Sequence, residues 1–255
     1  LILKATYSDG TRTREAQHIF DTQKLSQGLI IDESGVIRGM GSCTDTILYI
    51  NNPVGNAAFS GVNSILKVYM GPGVTSIGEE AFSKCSSLAE VQLSDTLTSL
   101  GIDAFSYSGI TSIVIPASIT SLPGRVFATC LKLSEVILHD NISSIGYNAF
   151  FNCESLENIT LPAELKTIED CAFGGCEKLS TLSIPYTDTQ FHIQNIYFLP
   201  PRENELYDYI NHNDKSKFLE KEKTNIFRFK INFQIKKGLF FSPFLLFFLL
   251  LFLFY

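Results

Sequence analysis

The hydrophobic and polar positions of the chain repeat with a period of about 23 residues. An apolar residue followed by Phe occurs six times, and successive phenylalanines are 23, 23, 22, 23 and 23 residues apart. A fixed period of this length is typical of proteins built from stacked structural repeats. The six phenylalanines are Phe59, Phe82, Phe105, Phe127, Phe150 and Phe173.

The same pattern predicts the elements inside each repeat. Residues 91–93 alternate apolar, polar and apolar, which is the period of a half-buried strand. Leu97 and Leu100 then predict a short extended piece with two inward side chains. The apolar-Phe pair comes shortly after a Gly or Pro in most repeats, which favours a turn or one short helical turn that carries Phe into the interior.

A single repeat of this size cannot enclose a core, so neighbouring repeats must stack. Stacking aligns the strands into a parallel sheet and places each Phe on the next. We therefore predict a mostly β solenoid, with a parallel sheet on one face and short extended or helical turns opposite. The predicted array covers residues 57–185, and residues 1–56 are expected to form an N-terminal cap with lead-in strands.

The repeat pattern resembles the BspA-like class of leucine-rich repeats. It contains Leu-x-x-Val-x-Leu, Leu-x-x-Leu-Gly and Ala-Phe, with Cys three residues later, from about Ala57 to Pro185. Residues 39–46 also look like the segment that opens such arrays. The resemblance implies an α/β leucine-rich-repeat solenoid and a surface protein that adheres to host proteins or other cells. Three departures are Ile110 one residue early, Ser108 in place of Cys, and Pro123 in place of Gly.

Charge distribution argues against a nucleic-acid partner. Residues 1–201 carry 11 Lys and Arg against 20 Asp and Glu, a net charge of −9. An acidic body repels phosphate backbones, and no basic stripe interleaved with aromatic residues is found.

The composition changes near Tyr186. After it come 13 of the 21 Phe but only one of the 17 Gly. We expect residues 186–237 to form a weakly ordered cap or linker. Since the chain begins with Leu1 rather than Met, we also expect its start to be missing or processed.

Residues 238–255 are nearly all Phe and Leu and suggest a single membrane anchor. As a helix they would span roughly 27 Å, close to the thickness of a bilayer core. Lys236 and Lys237 precede the segment, and this positive flank would place the solenoid in the cytoplasm. The alternative is that the sequence after Pro185 is out of frame, and both interpretations stay open here.

Four cysteines occupy one phase, three residues after the repeat Phe. The favoured interpretation is that they are small buried side chains that close the turn. A Cys171–Cys176 disulfide is the alternative in an exported protein, whereas a zinc site lacks the Cys-x-x-Cys spacing that such sites need. The four are Cys85, Cys130, Cys153 and Cys176.

No combination of residues predicts catalysis. The histidines at positions 18, 139, 192 and 212 do not cluster with each other or with carboxylates in a catalytic spacing. No phosphate-binding loop, nucleophile elbow or metalloprotease motif is found. We therefore expect no cofactor, no metal and no enzymatic activity.

The outward positions of the predicted strands are the candidate binding surface. Two lie in each strand, so stacking arranges them in two parallel columns. Among them Tyr69, Val114 and Ile137 are expected to contribute most to association. We expect a non-enzymatic cell-surface or secreted module that binds a protein or glycan; the alternative is an intracellular scaffold. The positions are Lys67, Tyr69, Glu90, Gln92, Ser112, Val114, Glu135, Ile137, Asn158, Thr160, Thr181 and Ser183.

Overall fold

A computed structural model describes residues 2–8, 13–19, 22–179, 181–185, 192–193 and 230–234, with side chains for residues 23–179. A short 3-10 helix spans Thr22–Lys24. The strands are β1 (Ile2–Ser8), β2 (Thr13–Ile19), β3 (Ile30–Ile31), β4 (Ile37–Gly39), β5 (Ile47–Ile50), β6 (Lys67–Met70), β7 (Ser76–Ile77), β8 (Glu90–Gln92), β9 (Ser99–Leu100), β10 (Ser112–Val114), β11 (Ser121–Leu122), β12 (Glu135–Ile137), β13 (Ser144–Ile145), β14 (Asn158–Ile159), β15 (Thr167–Ile168), β16 (Thr181–Pro185), β17 (His192–Ile193) and β18 (Lys230–Gln234).

The chain winds into a solenoid with parallel sheets on two sides, which confirms the predicted fold class. One sheet has six parallel strands in the order β14-β12-β10-β8-β6-β5. The opposite side carries the parallel pair β7-β9 and the four-stranded sheet β11-β13-β15-β17. Each of the five coils from β6 to β15 therefore contributes one strand to each side, and the apolar side chains between the sheets form a continuous core.

The repeat phenylalanines form one stacked column inside the solenoid. We call Phe59, Phe82, Phe105, Phe127, Phe150 and Phe173 the Phe column; every member is fully buried. Neighbouring ring centroids lie 5.0–5.7 Å apart with interplanar angles of 4–20°. This separation matches the spacing of parallel strands, about 4.8 Å, because the same stacking of coils sets both distances. Offset stacking at this range is favourable beyond the burial of the rings.

Each Phe lies in a turn whose flanking residues have positive φ. In the coil of Phe105 these are Asp103, with φ of 56°, and Tyr107, with φ of 57°, and the other coils repeat the arrangement. A left-handed conformation costs a non-glycine residue about 1–2 kcal/mol. Inter-coil hydrogen bonds offset that cost: Asp103, Phe105 and Tyr107 all donate their backbone N–H to carbonyls of the next coil. Within residues 23–179 the segments that carry the repeat phenylalanines are therefore turns of this kind and not helical turns.

One coil is a residue shorter than the others, and a glycine accommodates the difference. Ile110 follows Phe105 by five residues, whereas Leu88 follows Phe82 by six. Ile110 is nevertheless fully buried, so the chain must take a tighter path after Phe105. On this path a Cβ at Gly109 would lie 2.3 Å from the carbonyl oxygen of Ser86 in the previous coil. Only glycine fits there without displacing backbone.

Pairing continues beyond residue 185, the predicted end of the array. β17 pairs in parallel with β15, joining Ile168 to Ile193, and β18 pairs in parallel with β16. Residues 238–255 lie outside the described residues, and the boundaries of the predicted domains remain predictions. Within the described residues no helix has the length and apolar character needed to cross a bilayer.

Candidate functional site

The predicted outward columns lie side by side on the six-stranded sheet. Strand pairing places Lys67 opposite Glu90, Glu90 opposite Ser112, Ser112 opposite Glu135 and Glu135 opposite Asn158. The second column pairs Tyr69 with Gln92 and Val114 with Ile137. Val68, Val91 and Ile113, between them in sequence, are buried. We call this outer surface of β5, β6, β8, β10, β12 and β14 the sheet face.

Tyr69 is not exposed, contrary to the prediction. Only 8% of its surface is accessible, because its ring packs on Tyr49 of β5 with the centroids 5.1 Å apart. Its hydroxyl donates a hydrogen bond of 2.7 Å to Oε1 of Glu90. The residue therefore stabilises the N-terminal end of the sheet face and offers little surface to a partner.

Strand β5 adds residues to the face that the sequence interpretation left out. Ile47 pairs with Lys67 and Tyr49 with Tyr69, so the columns begin one strand earlier than predicted. Ile47 is 39% exposed, and Nζ of Lys24 lies 5.9 Å from the centroid of the Tyr49 ring. The sequence signal was the apolar run Leu48-Tyr49-Ile50, which resembles Val68-Tyr69-Met70 but lies 20 residues before it instead of 23.

The N-terminal end of the face is charged but internally neutralised. Nζ of Lys67 lies 2.7 Å from Oε2 of Glu90, whose other oxygen accepts the Tyr69 hydroxyl. The carboxylate raises the pKa of Lys67, through the hydrogen bond first and the charge second. Both side chains are substantially exposed, so the pair contributes little to stability. Its main effect is to fix the orientation of three side chains.

The centre and C-terminal end of the face differ in character. Val114 and Ile137 are half-buried neighbours and form an apolar centre between Gln92 and the exposed Thr160. In the other column Ser112 and Asn158 are exposed and Glu135 is half-buried. Thr181 and Ser183 fall in β16, whose side chains lie outside the described ones.

The environment of Tyr69 predicts that its phenol ionises at a higher pH than an exposed tyrosine. Burial first, and the hydrogen bond to Glu90 second, raise the pKa of Tyr69 above its ordinary 10.0. The phenolate absorbance of the Tyr69→Phe variant, subtracted from that of the native protein, should yield a component that titrates above pH 10. Glu90→Gln should lower this pKa without restoring 10.0, because the burial remains. A difference component centred at or below 10.0 would contradict the described packing.

The periodic cysteines are buried hydrogen-bond donors inside the core. The Sγ atoms of Cys85, Cys130, Cys153 and Cys176 lie 3.0–3.2 Å from the carbonyl oxygen of the repeat Phe one coil earlier. At Ser108 a hydroxyl replaces the thiol and lies 3.3 Å from Sγ of Cys130. Five of the six coils hold a small side chain with a donor at this phase, Cys or Ser, whereas the first coil holds Val62.

The structure supports the structural interpretation of these cysteines. Cys171 and Cys176 are both unbridged, as are the other described cysteines. Among the residues described, no group of three or more His, Cys, Asp or Glu could hold a metal ion. His139, the one histidine between residues 23 and 179, is half-buried and follows strand β12.

Burial makes the thiols of the four periodic cysteines unreactive. Desolvation raises the pKa of Cys85 and Cys130 to about 11 and that of Cys176 to about 12, and it also raises the pKa of Cys153. Since the thiolate is the nucleophile, alkylation of the native protein near pH 8 should spare these four and modify the half-buried Cys171 first. Mass spectrometry of the labelled peptides measures this. Equal labelling of Cys171 and Cys153 in the native state would contradict the core position.

The same shifts give a pH dependence of stability. The folded-state pKa of each of these thiols lies above the ordinary value of 9.0, so the unfolded chain ionises first as pH rises. The stability contributed by the thiols is complete below pH 9 and declines above it.

Comparison with known proteins agrees with the geometry. A family model described as a BspA type leucine-rich repeat region, in six copies, matches residues 52–180 and 125–235. No curated protein sequence matches the chain. The crystal structure of a T. pallidum leucine-rich repeat protein is 23% identical, with a TM-score of 0.55, and the match covers 75% of this chain and 96% of that one.

A leucine-rich repeat protein from Eubacterium ventriosum is also 23% identical, with a TM-score of 0.61. That match covers 69% of this chain and 49% of the other, so the chain spans about half of the longer protein. At this identity the two solved structures support the fold alone. The family model covers well over half of the chain, and the repeat geometry is the one that its description names. The chain belongs to the BspA-type leucine-rich repeat family.

Proposed function

We propose that the chain is a non-enzymatic interaction module, displayed at the cell surface, that binds a partner protein through the sheet face. The observation that carries this is the apolar centre formed by Val114 and Ile137. These side chains lie on adjacent strands with Ser112 and Glu135 beside them, and they remain partly accessible. Extended solenoid surfaces commonly serve in binding, and an apolar centre with a polar surround has the composition of an association hot spot.

Rigidity supports this assignment. The apolar centre lies on parallel strands that are fixed by the pairing between coils and by the buried side chains of Ile113 and Val136. A preorganised surface loses little conformational entropy on association, so a modest apolar area contributes more to affinity. The exposed face therefore suits a partner that docks without rearrangement of the solenoid.

Charge indicates the chemistry of the partner. Residues 23–179 carry 8 Lys and Arg against 16 Asp and Glu, a net charge of −8. An acidic body attracts a basic surface over long range and accelerates encounter at low ionic strength. The partner that fits thus has an apolar patch at the contact and a net positive charge. The alternative ligand is a glycan, and a binding assay must distinguish it from a partner protein.

Site-specific cross-linking tests the docking surface. A photoreactive amino acid is placed at Val114 or Ile137, and, as a matched control, at Ser99 or Ser121 on the opposite side of the solenoid. Irradiation of cells that express these variants should give a cross-linked protein from the first pair and not from the second. Equal yields at all four positions, or a product from the control pair alone, would contradict binding through the sheet face.

Surface display needs its own experiment. Intact cells are treated with a membrane-impermeant amine-reactive reagent, and the modification of exposed Lys84 is measured by mass spectrometry. We expect Lys84 to be modified to the same extent in intact and lysed cells. Protection in intact cells together with modification after lysis would contradict display and favour the intracellular scaffold.

A further inference from the structure

Three of the periodic cysteines lie in consecutive coils, and we call Cys130, Cys153 and Cys176 the thiol ladder. They follow three successive members of the Phe column by three residues each. Neighbouring rings in that part of the column lie 5.3–5.7 Å apart. Burial raises the pKa of Cys153, and the thiols of Cys130 and Cys176 raise it further. The three thiols are therefore close enough to influence one another.

The thiols of Cys176 and Cys153 each approach the cysteine of the preceding coil. The Sγ of Cys176 lies 3.1 Å from the carbonyl oxygen of Phe150, and the backbone nitrogen of Cys153 lies 3.1 Å from the same oxygen. One coil earlier, the Sγ of Cys153 and the backbone nitrogen of Cys130 both lie 3.2 Å from the carbonyl oxygen of Phe127. The ladder therefore runs from each thiol toward the cysteine before it.

The spacing of the coils suits a disulfide between two members of the ladder. Parallel strands lie about 4.8 Å apart, and the α-carbons of a disulfide usually lie about 4.4–6.8 Å apart. Side chains at this phase already touch where Ser108 replaces Cys, since its Oγ lies 3.3 Å from the Sγ of Cys130 in the next coil. The coils therefore need not separate or change register for two thiols to be joined.

Accessibility selects Cys176 as the thiol that reacts first. Cys130 and Cys153 have no accessible surface, whereas 7% of the surface of Cys176 is accessible. Cys171 is nearer to it in sequence than any other cysteine. The thiol of Cys176 is directed at the preceding coil, however, so Cys153 is the better placed partner.

We propose that Cys153 and Cys176 form an oxidation site, at which a small soluble disulfide converts the two thiols into a disulfide that joins their coils. The thiolate of Cys176 attacks one sulfur of the soluble disulfide, whose S–S bond breaks, and the first small thiolate leaves and takes up the proton. The thiolate of Cys153 then attacks the sulfur of Cys176 and displaces the second small thiol. Two protein thiols are oxidised, and one soluble disulfide is reduced to two thiols.

Burial makes this reaction slow, and the product stabilises the solenoid. The turn must open locally before the thiolates form, since burial raises the pKa of Cys176 to about 12. The bond links two cysteines 23 residues apart and thereby restricts the unfolded chain. In an oxidising extracellular medium the joined form should accumulate. The site does not depend on whether the sheet face binds a partner.

Oxidised glutathione tests the site in the purified full-length chain. After prolonged incubation near pH 8.5, the remaining thiols are blocked with a maleimide and chymotryptic peptides are analysed by mass spectrometry without reduction. Cleavage after Phe173 separates Cys171 from Cys176. We expect a linked Cys153–Cys176 pair as the main product. The Tm should exceed that of the reduced protein by roughly 4–8 °C.

Two serine variants separate this site from general oxidation. Cys153→Ser should remove both the linked peptide and the rise in Tm, and it should fold, because Ser108 occupies the same phase. Cys85→Ser is the matched control and should change neither, since the adjacent coils hold no cysteine at its phase. A bond between Cys171 and Cys176, any other bond as the main product, or Cys153 and Cys176 that remain thiols would overturn the proposal.

Discussion

Phe127→Ala is expected to cost about 3–5 kcal/mol of folding free energy, among the largest effects of any single substitution in the chain. Phe127 is fully buried and stacks on two rings, with centroids 5.7 Å from both Phe105 and Phe150. Truncation removes its buried apolar surface and leaves a cavity in the middle of the column. Because each coil is stabilised by its neighbours, the defect should weaken the coils on both sides.

Urea unfolding of the native and variant proteins measures this loss. Tyr107→Ala is the matched control, since Tyr107 is an aromatic residue of a neighbouring coil that is 51% exposed. The control should change the free energy of unfolding by less than about 0.5 kcal/mol. Similar losses in the two variants would show that Phe127 does not occupy a distinct core position.

Gly109→Ala is the second substitution with a large expected effect. The new Cβ would lie 2.3 Å from the carbonyl oxygen of Ser86 and 3.0 Å from its carbonyl carbon. Both atoms are backbone, so no flexible side chain can move aside. The coils would have to separate, and we expect a loss of about 1–3 kcal/mol or more from overpacking.

Gly39→Ala provides the control for this substitution. A Cβ at Gly39 would lie 3.5 Å from the carbonyl oxygen of Ala58, an ordinary contact, and the residue is also buried. Thermal unfolding should therefore show little change for Gly39→Ala and a clearly lower Tm for Gly109→Ala. If Gly109→Ala melts with the native protein, the close approach of the short coil to Ser86 is wrong.

The periodic part of the structure could be predicted from sequence because equivalent positions of the repeats carry similar residues and lie in the same environment. A single Phe is compatible with many positions, but six in register require a common position, and stacking then fixes the strand pairing. The pairs Val114–Ile137 and Lys67–Glu90 follow directly from this register. The outward columns could therefore be predicted residue by residue from the sequence.

The features that the sequence interpretation missed depend on contacts between residues at irregular spacing. Tyr69 looked like an exposed aromatic residue because Tyr49 lies 20 residues before it and outside the assigned array. The thiol hydrogen bonds join Cys153 to the carbonyl of Phe127 and leave no sequence signal beyond a small polarisable residue at that phase. The register of Ile193 with Ile168 was likewise concealed, because Ile193 follows Ile168 by 25 residues, whereas Ile168 follows Ile145 by 23.

Nuclear Overhauser effects between specifically labelled phenylalanine rings test the stacked solenoid most directly. The structure predicts ring-to-ring effects from Phe59 to Phe82 and onward, one neighbour at a time, to Phe173, because adjacent centroids lie within 5.7 Å. Rings two coils apart should show none. Effects between non-neighbouring rings, or their absence between Phe105 and Phe127, would contradict the column and with it the sheet face that the column supports.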